Sequence, residues 1–325
     1  MNTFPRICNR RGILLAALLG LAVTAKAQTY PAKPVHILVG YSAGGGVDAM
    51  ARLLAPYLST QLGQQVVVEN RAGAAGMIAG DVVAKAAPNG YTLLFGESGL
   101  LIAQYLQPSM SFDPIKSFAP VASLFNSPLM IVAGNSVPAK NAKELIAMLK
   151  ASPGKYSYAT PGVGTAQHLG FEMLKAQTGT FVVHVPYRGA AQIVPDVIGG
   201  QIPLGVVSAT AGIAQSKAGK LVAIAMMSGV SLPGAENVAA LSDTLPGFSV
   251  APRIMLLAPA GTPVAAVERL SEAVRVALSN PEVIKAANVL GAVPAFLSSA
   301  DLATDLTRES AGWAKIIKDQ KISAQ

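Results

Sequence analysis

The chain has 325 residues, 25 basic and 17 acidic side chains for a formal charge of +8, and a single cysteine, Cys8. With that cysteine at the extreme N-terminus, the rest of the chain has no disulfide, thiolate nucleophile or cysteine metal centre. The basic surplus is too mild and scattered for a nucleic-acid surface and suits the steering of small anions, while the length favours two lobes over one core.

The first element is an export signal. Arg6, Arg10 and Arg11 form a positive region, an uncharged apolar run covers 13–24, and Ala25, Lys26 and Ala27 supply small residues at the two positions a signal peptidase reads. Cleavage before Gln28 is expected, with delivery to the periplasm. The apolar run is shorter than the roughly 20 residues a bilayer core needs, which argues against a membrane anchor. Arg10 and Arg11 fit a twin-arginine signal only loosely. Removing residues 1–27 leaves a charge of +4.

Beyond the signal the pattern alternates. Apolar runs suited to buried parallel strands fall at 35–39, 66–68, 91–95, 129–133, 181–185, 204–207, 221–226 and 254–257. Helical periodicity fills 48–62, 77–87, 141–150, 167–177, 264–278 and 302–318. Asn141 followed by Glu144 is a helix start, and Pro153-Gly154 a stop. This alternation predicts an α/β fold with helices on both sheet faces. Composition does not locate a domain boundary; 125–128 and the loop-rich 228–253 are the best crossing points.

Two glycine loops carry the chemistry. Tyr41, Ser42, Ala43, Gly44, Gly45 and Gly46 follow a strand and open a helix that has Asp48 in its first turn. Thr160, Pro161, Gly162, Val163, Gly164 and Thr165 repeat the arrangement after the strand-like run 156–159, with His168 one turn into the next helix. Glycine lets the backbone turn sharply, and the free N–H groups and positive dipole end of a helix N-terminus favour an anion. Either loop alone is equally well a tight turn; the pair suggests two jaws on one anion. Asp48 reads first as an acid that stabilises its helix and satisfies backbone donors, and alternatively as a holder of water or of a ligand donor.

The rival reading is a dinucleotide-binding oxidoreductase. Gly44, Gly46 and Ala49 fit G-x-G-x-x-A, and Glu69 ends the next strand where a ribose-binding acid would sit. Export away from the nicotinamide pool and the charge of Asp48 beside a pyrophosphate count against it. Other chemistry is thin. Gly96-Glu97-Ser98-Gly99-Leu100 misses the hydrolase elbow at its last position, and His36, His168 and His184 have no metal spacing. His184 reads as a hydrogen-bonded core histidine, and Tyr158, Tyr187 and Trp313 as core or interface aromatics.

Residues 41–52 resemble the F-x-A-G-G-x-x-D-x-x-A-R motif of the tripartite tricarboxylate transporter receptors (the Bug or TctC family), with Tyr41 for Phe. Residues 68–76 resemble V-E-N-R-P-G-A-G-G, 88–94 P-D-G-Y-T-L-L, and 184–189 H-V-P-Y-K-G; G-G-Q at 199–201 and A-P-A-G-T-P at 258–263 follow in order. The resemblance recasts Glu69 as part of V-E-N-R. It implies a type II periplasmic-binding-protein fold: two α/β lobes, 28–127 with 253–325 and 128–252, joined by a double crossover. It implies a monomeric, non-enzymatic receptor without cofactor or metal, which captures a small organic acid and passes it to a two-component membrane permease; a receptor serving a sensor is the alternative. Carried over, Tyr41, Ser42, Ala43, Gly44, Gly45 and Asp48 form one jaw, and Thr160, Gly162, Gly164, Thr165 and His168 the other. Ser98 and Ser208, at strand ends, are expected to line the crevice. The sequence departs from the family at 231–254, where Arg253 stands in place of a tryptophan. Arg253 is read either as a hinge residue with its stem packed or as a clamp for a second ligand carboxylate.

Overall fold

A computed structural model describes residues 30–323 except 42, 74–75, 108–109, 188–189 and 231. The export signal and Ser42 therefore lie outside the described residues. The chain builds two sheets. In sheet order the first is β11 (Val293–Leu297), β4 (Phe118–Asn126), β10 (Arg253–Pro259), β3 (Thr92–Glu97), β1 (Val35–Val39) and β2 (Val66–Asn70). The second is β7 (Val183–Pro186), β6 (Ser157–Thr160), β8 (Leu204–Ser208), β5 (Leu129–Ala133) and β9 (Val222–Met226).

Each sheet contains parallel βαβ units. In the first, α1 (Gly46–Leu62) and α2 (Met77–Ala84) connect β1, β2 and β3; α3 (Gly99–Leu106) follows β3. In the second, α4 (Ala142–Ala151) precedes β6, and α5 (Ala166–Thr178) and α6 (Ile193–Ile198) connect β6, β7 and β8. α7 (Ala209–Lys217) follows β8. Local signals set several starts: the Asn141 side chain accepts the Glu144 N–H at 3.0 Å, and Ser298 caps α10 (Ser299–Asp319) through the Asp301 N–H at 3.3 Å.

The expectation of parallel pairing fails for three strands. β5 pairs antiparallel with β8 and β9, and β10 pairs antiparallel with β3 and β4. These strands lie next to the two places where the chain passes between sheets. A strand entering or leaving through the crossing runs against its neighbours, and a buried apolar run does not record direction. The crossings themselves are paired: Ser127 N–H donates to the Pro252 carbonyl, and Val250 N–H to Met227, both at 2.8 Å.

One apolar cluster runs through both sheets, joining Leu94, Leu106, Met255 and Trp313 to Leu129, Leu169, Phe171 and Phe248. The opposite face of the first sheet is covered by α1, α8 (Val264–Leu278) and α9 (Pro281–Val289), with Leu54, Phe95, Ile254 and Val274 in its core. α10 returns across β4 and α3 and reaches α5. Among the described residues no helix is long and apolar enough to cross a membrane.

Candidate anion site at two glycine loops

The two glycine loops have the same local geometry. Gly44 and Gly164 both adopt φ +78°, a left-handed conformation that glycine takes without strain. In each loop the next residue is the N-cap of a helix, Gly45 for α1 and Thr165 for α5. In each, a side chain four positions on reaches back to the glycine amide. Gly44 N–H donates to Asp48 Oδ2 at 2.8 Å, and Gly164 N–H donates to His168 Nδ1 at 3.2 Å. The braces differ in charge but do the same work: each fixes the left-handed glycine directly ahead of a helix N-terminus.

The Asp48 carboxylate is 2% exposed. It also accepts Arg52 Nε at 3.0 Å and Asn70 Nδ2 at 2.8 Å, while Asn70 holds the Tyr41 carbonyl at 3.0 Å and accepts Arg52 Nη2 at 2.9 Å. Burial pushes the Asp48 pKa up, but the bonds from Arg52, Gly44 and Asn70 outweigh it and hold the carboxyl below its ordinary value. Asp48 is thus committed to its own loop, the first of the two roles its position allowed. Arg52 and Asn70 complete the brace. Both stand inside quoted motifs, yet a motif does not say which of its members touch.

The second loop stands on a buried polar cluster. His168, 6% exposed, stacks on His184 with ring centroids 4.0 Å apart. Accepting the Gly164 amide requires a bare Nδ1, which assigns the proton of His168 to Nε2. Burial and then Lys175 push the His168 pKa down to about 4; burial and then His168 do the same for His184. His184 Nε2 lies 2.6 Å from the Thr160 hydroxyl, which is fully buried and also contacts the Gly162 carbonyl at 3.2 Å. Glu172 beneath them accepts from Tyr158 and Lys175, both at 2.6 Å. Thr165 Oγ1 donates to the Gly162 carbonyl at 2.8 Å and accepts the His168 N–H at 3.3 Å.

Side chains singled out from the sequence are therefore mostly internal, and the outward surface is backbone. Ala43, Gly44 and Gly45 are exposed, Gly162, Gly164 and Thr165 half-buried. Gly46 and Val47 of α1, like Ala166 and Gln167 of α5, precede the first intrahelical bonds, which are Ala49 to Gly45 and Leu169 to Thr165. Among the described residues these amides have no hydrogen-bond partner, and unpaired helix N-terminal amides suit an anion. Ser208 is exposed and caps α7 through Ala211.

Two expectations need correcting. Ser98 does not line an open crevice: it is fully buried, and its hydroxyl accepts the Arg253 N–H at 3.0 Å beneath the second crossing. Arg253 is no clamp for a distal carboxylate. Its side chain, 16% exposed, faces α10, where the guanidinium bonds Asp305 and lies 3.6 Å from Glu309. The protein already supplies the carboxylates that the guanidinium would have sought in a ligand. The sequence also gave no notice of Glu97. It ends β3 beside Tyr41 of the first loop, and burial pushes its pKa up. A lone acid closing an apolar strand was the available signal.

The dinucleotide reading does not survive. Only β1, β2 and β3 run parallel in the first sheet, antiparallel β10 adjoins them, and Glu69 pairs with His36 at 2.6 Å and Arg71 at 3.7 Å. Two mixed sheets joined by a paired double crossing, with helix N-termini opening from glycine loops, have the architecture of solute-binding receptors, and the fold matches structures of periplasmic solute-binding proteins. The chain belongs to the tripartite tricarboxylate transporter family of receptors, whose model matches residues 50–322. BugT of Bordetella pertussis is 32% identical over 313 residues, covering 95% of this chain and 95% of that protein. The structure of R. palustris Rpa4515 with adipate is 29% identical, covers 91% of this chain and 100% of its own, and superposes with a TM-score of 0.79. MatC from Rhodopseudomonas palustris with bound malate is 28% identical over 89% of this chain and 100% of its own, with a TM-score of 0.73.

Proposed function

We propose that this receptor captures a small organic carboxylate on the first-turn amides of α1 and α5, without chemical change, and delivers it to a membrane permease. The observation that carries this reading is the repeated loop: two left-handed glycines, each braced from four residues on, each leaving amides at a helix N-terminus. Two such donors facing one ligand favour an anion with planar oxygens. Adipate in Rpa4515 and malate in MatC are carboxylates bound by proteins of similar fold. The closing units are the lobes 28–127 with 253–325 and 128–252, and the chain reaches the periplasm after cleavage before Gln28.

The test is calorimetry and thermal shift of the exported protein against a panel of mono-, di- and tricarboxylates. One acid should bind per chain and raise Tm with concentration, because a ligand selective for the folded state stabilises it. It should be recovered unchanged. A panel without binding, or consumption of the acid, would overturn the reading. Copurification with integral membrane proteins, against copurification with a sensor kinase, tests the partner.

A further inference from the structure

Two glycines receive a side chain from the opposite lobe. A Cβ on Gly164, in the second loop, would lie 2.7 Å from Cδ1 of Leu106, which ends α3 in the first lobe. A Cβ on Gly291, in the turn between α9 and β11 of the first lobe, would overlap Thr210 Oγ1 and lie 3.0 Å from Thr210 Cβ. Thr210 stands in the first turn of α7, in the second lobe. Both glycines are left-handed, at φ +78° and +79°. Each is a socket that is open only while it carries no side chain, and the two sockets run in opposite senses between the lobes.

The Thr210 contact flanks the first crossing. Val293, two residues after Gly291, is in register with Asn126 at the end of β4. Ser208, two residues before Thr210, is in register with Leu129 at the start of β5. Val293 packs against Met130, Val207 and Ala209 of the second sheet, so the turn that carries Gly291 is seated on the other lobe. There Thr210 Oγ1 is buried and has no hydrogen-bond partner among the described residues. The helix start does not use it, because Ser208 caps α7 through the Ala211 N–H at 3.4 Å. A buried hydroxyl without a partner forfeits its hydration and gains nothing in return. Parting the lobes at this contact lets water back to it. The socket at Gly291 therefore permits the arrangement, and the hydroxyl of Thr210 opposes it.

We propose that Gly291 and Thr210 are positioning residues that set the lobe equilibrium, and through it the affinity for ligand: Gly291 leaves room for the lobes to come together, and the Thr210 hydroxyl holds them back until a bound acid supplies the difference. This rests on the receptor reading above, in which the lobes close on a carboxylate. The arrangement that seats Thr210 on Gly291 is also the one that seats the second loop on Leu106, so the loop and the socket are in place together. A receptor whose competent arrangement is only partly populated binds with an affinity reduced by that fraction. Changes at the socket then act on binding without touching the amides of either loop.

The experiment reads lobe geometry and affinity separately. Spin labels on Val264→Cys and Phe181→Cys, one in each lobe and 71% and 60% exposed, report the distance between lobes in a Cys8→Ser background. Calorimetry with malate and with adipate reports binding. Thr210→Val keeps the shape and removes the hydroxyl. It should shift the ligand-free distances in the direction in which a bound acid shifts wild type, and tighten binding by roughly three- to thirtyfold. Gly291→Ala fills the socket. It should shift the distances the opposite way and weaken binding by roughly five- to a hundredfold, the range for overpacking. Adding Thr210→Ala to Gly291→Ala should recover most of both. Gly63→Ala carries the same left-handed strain, at φ +70° with nothing within 4 Å, and should move neither. Thr210→Val serves alone if Gly291→Ala does not fold. Distances that are the same in wild type, Thr210→Val and Gly291→Ala, or affinities that do not move with them, overturn the role of the socket and leave carboxylate capture standing. Opposite shifts of the ligand-free distances with neither acid bound count against the carboxylate reading and leave the socket standing.

Discussion

At the scale of single residues, Arg253 shows how a charge is assigned by what surrounds it. Its guanidinium holds Asp305 and approaches Glu309, which are 14% and 18% exposed. Removing the cation leaves two half-buried carboxylates facing each other without compensation. Arg253→Met should therefore lower unfolding stability by about 1–3 kcal/mol, less than for a fully buried pair because water and Arg308 reach Asp305. Arg253→Lys should retain part of this, and adding Asp305→Asn to Arg253→Met should recover part. The ratio of diacid to monoacid affinity should not move. Chemical denaturation with calorimetry reads both quantities; a loss confined to diacids at unchanged stability would return Arg253 to the ligand. Thr165 is another side chain whose bonds are internal. Thr165→Ala should cost about 1 kcal/mol, the usual value of an N-cap, and Thr165→Ser, which keeps the hydroxyl, much less. Full stability in Thr165→Ala would mean that the cap contributes nothing.

At the scale of elements, the two loops share a backbone conformation but differ in their surroundings. A Cβ on Gly44 would meet nothing within 4 Å, whereas one on Gly164 would lie 2.7 Å from Leu106 Cδ1, at the end of α3. Gly44→Ala should cost only the left-handed strain, about 1–2 kcal/mol. Gly164→Ala should add overpacking of about 1–3 kcal/mol, and Leu106→Ala in the same chain should relieve it. Denaturation curves for the two single variants and the double variant check this; equal losses would show that Leu106 simply moves away. These contacts also mark the limit of what the sequence shows. β1, β5 and α8 lie where apolar runs and helical periodicity place them, and both loops announce themselves by glycine between strand and helix. β4 and β11 do not, because Pro120, Ser123 and Pro294 interrupt their runs and their pairing is antiparallel across the crossing. α3 hides for the opposite reason: Leu100, Leu101, Ile102 and Ala103 are all buried, so no polar face marks a helical period. The Asp48 and His168 braces depend on a left-handed turn that makes i and i+4 meet through the amide of a glycine. Arg253 and Asp305 are 52 residues apart in the chain, and nothing local to either names the other.

At the scale of the whole molecule, stability has to pass through the polar cluster under the second loop, because the apolar core that joins the sheets includes Tyr158, Leu169 and Phe171 around it. His168 is held neutral there, with a pKa pushed down to about 4 from an ordinary 6.5 by burial and then by Lys175. The groups facing it are the His184 ring, Glu172 at 3.9 Å and the Gly164 amide. Above about pH 6.5 the residue is neutral in the folded and unfolded chain, so it contributes no pH dependence. As pH falls below that, the unfolded chain takes up the proton first and the folded one does not. The unfolded state then binds more protons, and stability falls with pH. At pH 5 the loss assigned to His168 is roughly 2 kcal/mol. Below about pH 4 the folded protein is protonated as well, and the Gly164 amide loses its acceptor. His184 titrates in the same window, and the stacked rings make the second proton harder to add than the first. Asp48 is held below its ordinary value, so its contribution changes only under more acidic conditions and does not confuse a comparison between pH 7 and pH 5. His168→Asn presents an acceptor that does not titrate. Its stability should therefore fall less than that of wild type between these two pH values, by roughly the amount assigned to His168, even if it is less stable at pH 7. Denaturant unfolding of both proteins at pH 7, 6 and 5 measures the difference directly. Parallel losses would show that the folded chain accommodates a charged His168 without cost, and that the second loop does not need the neutral ring as its brace.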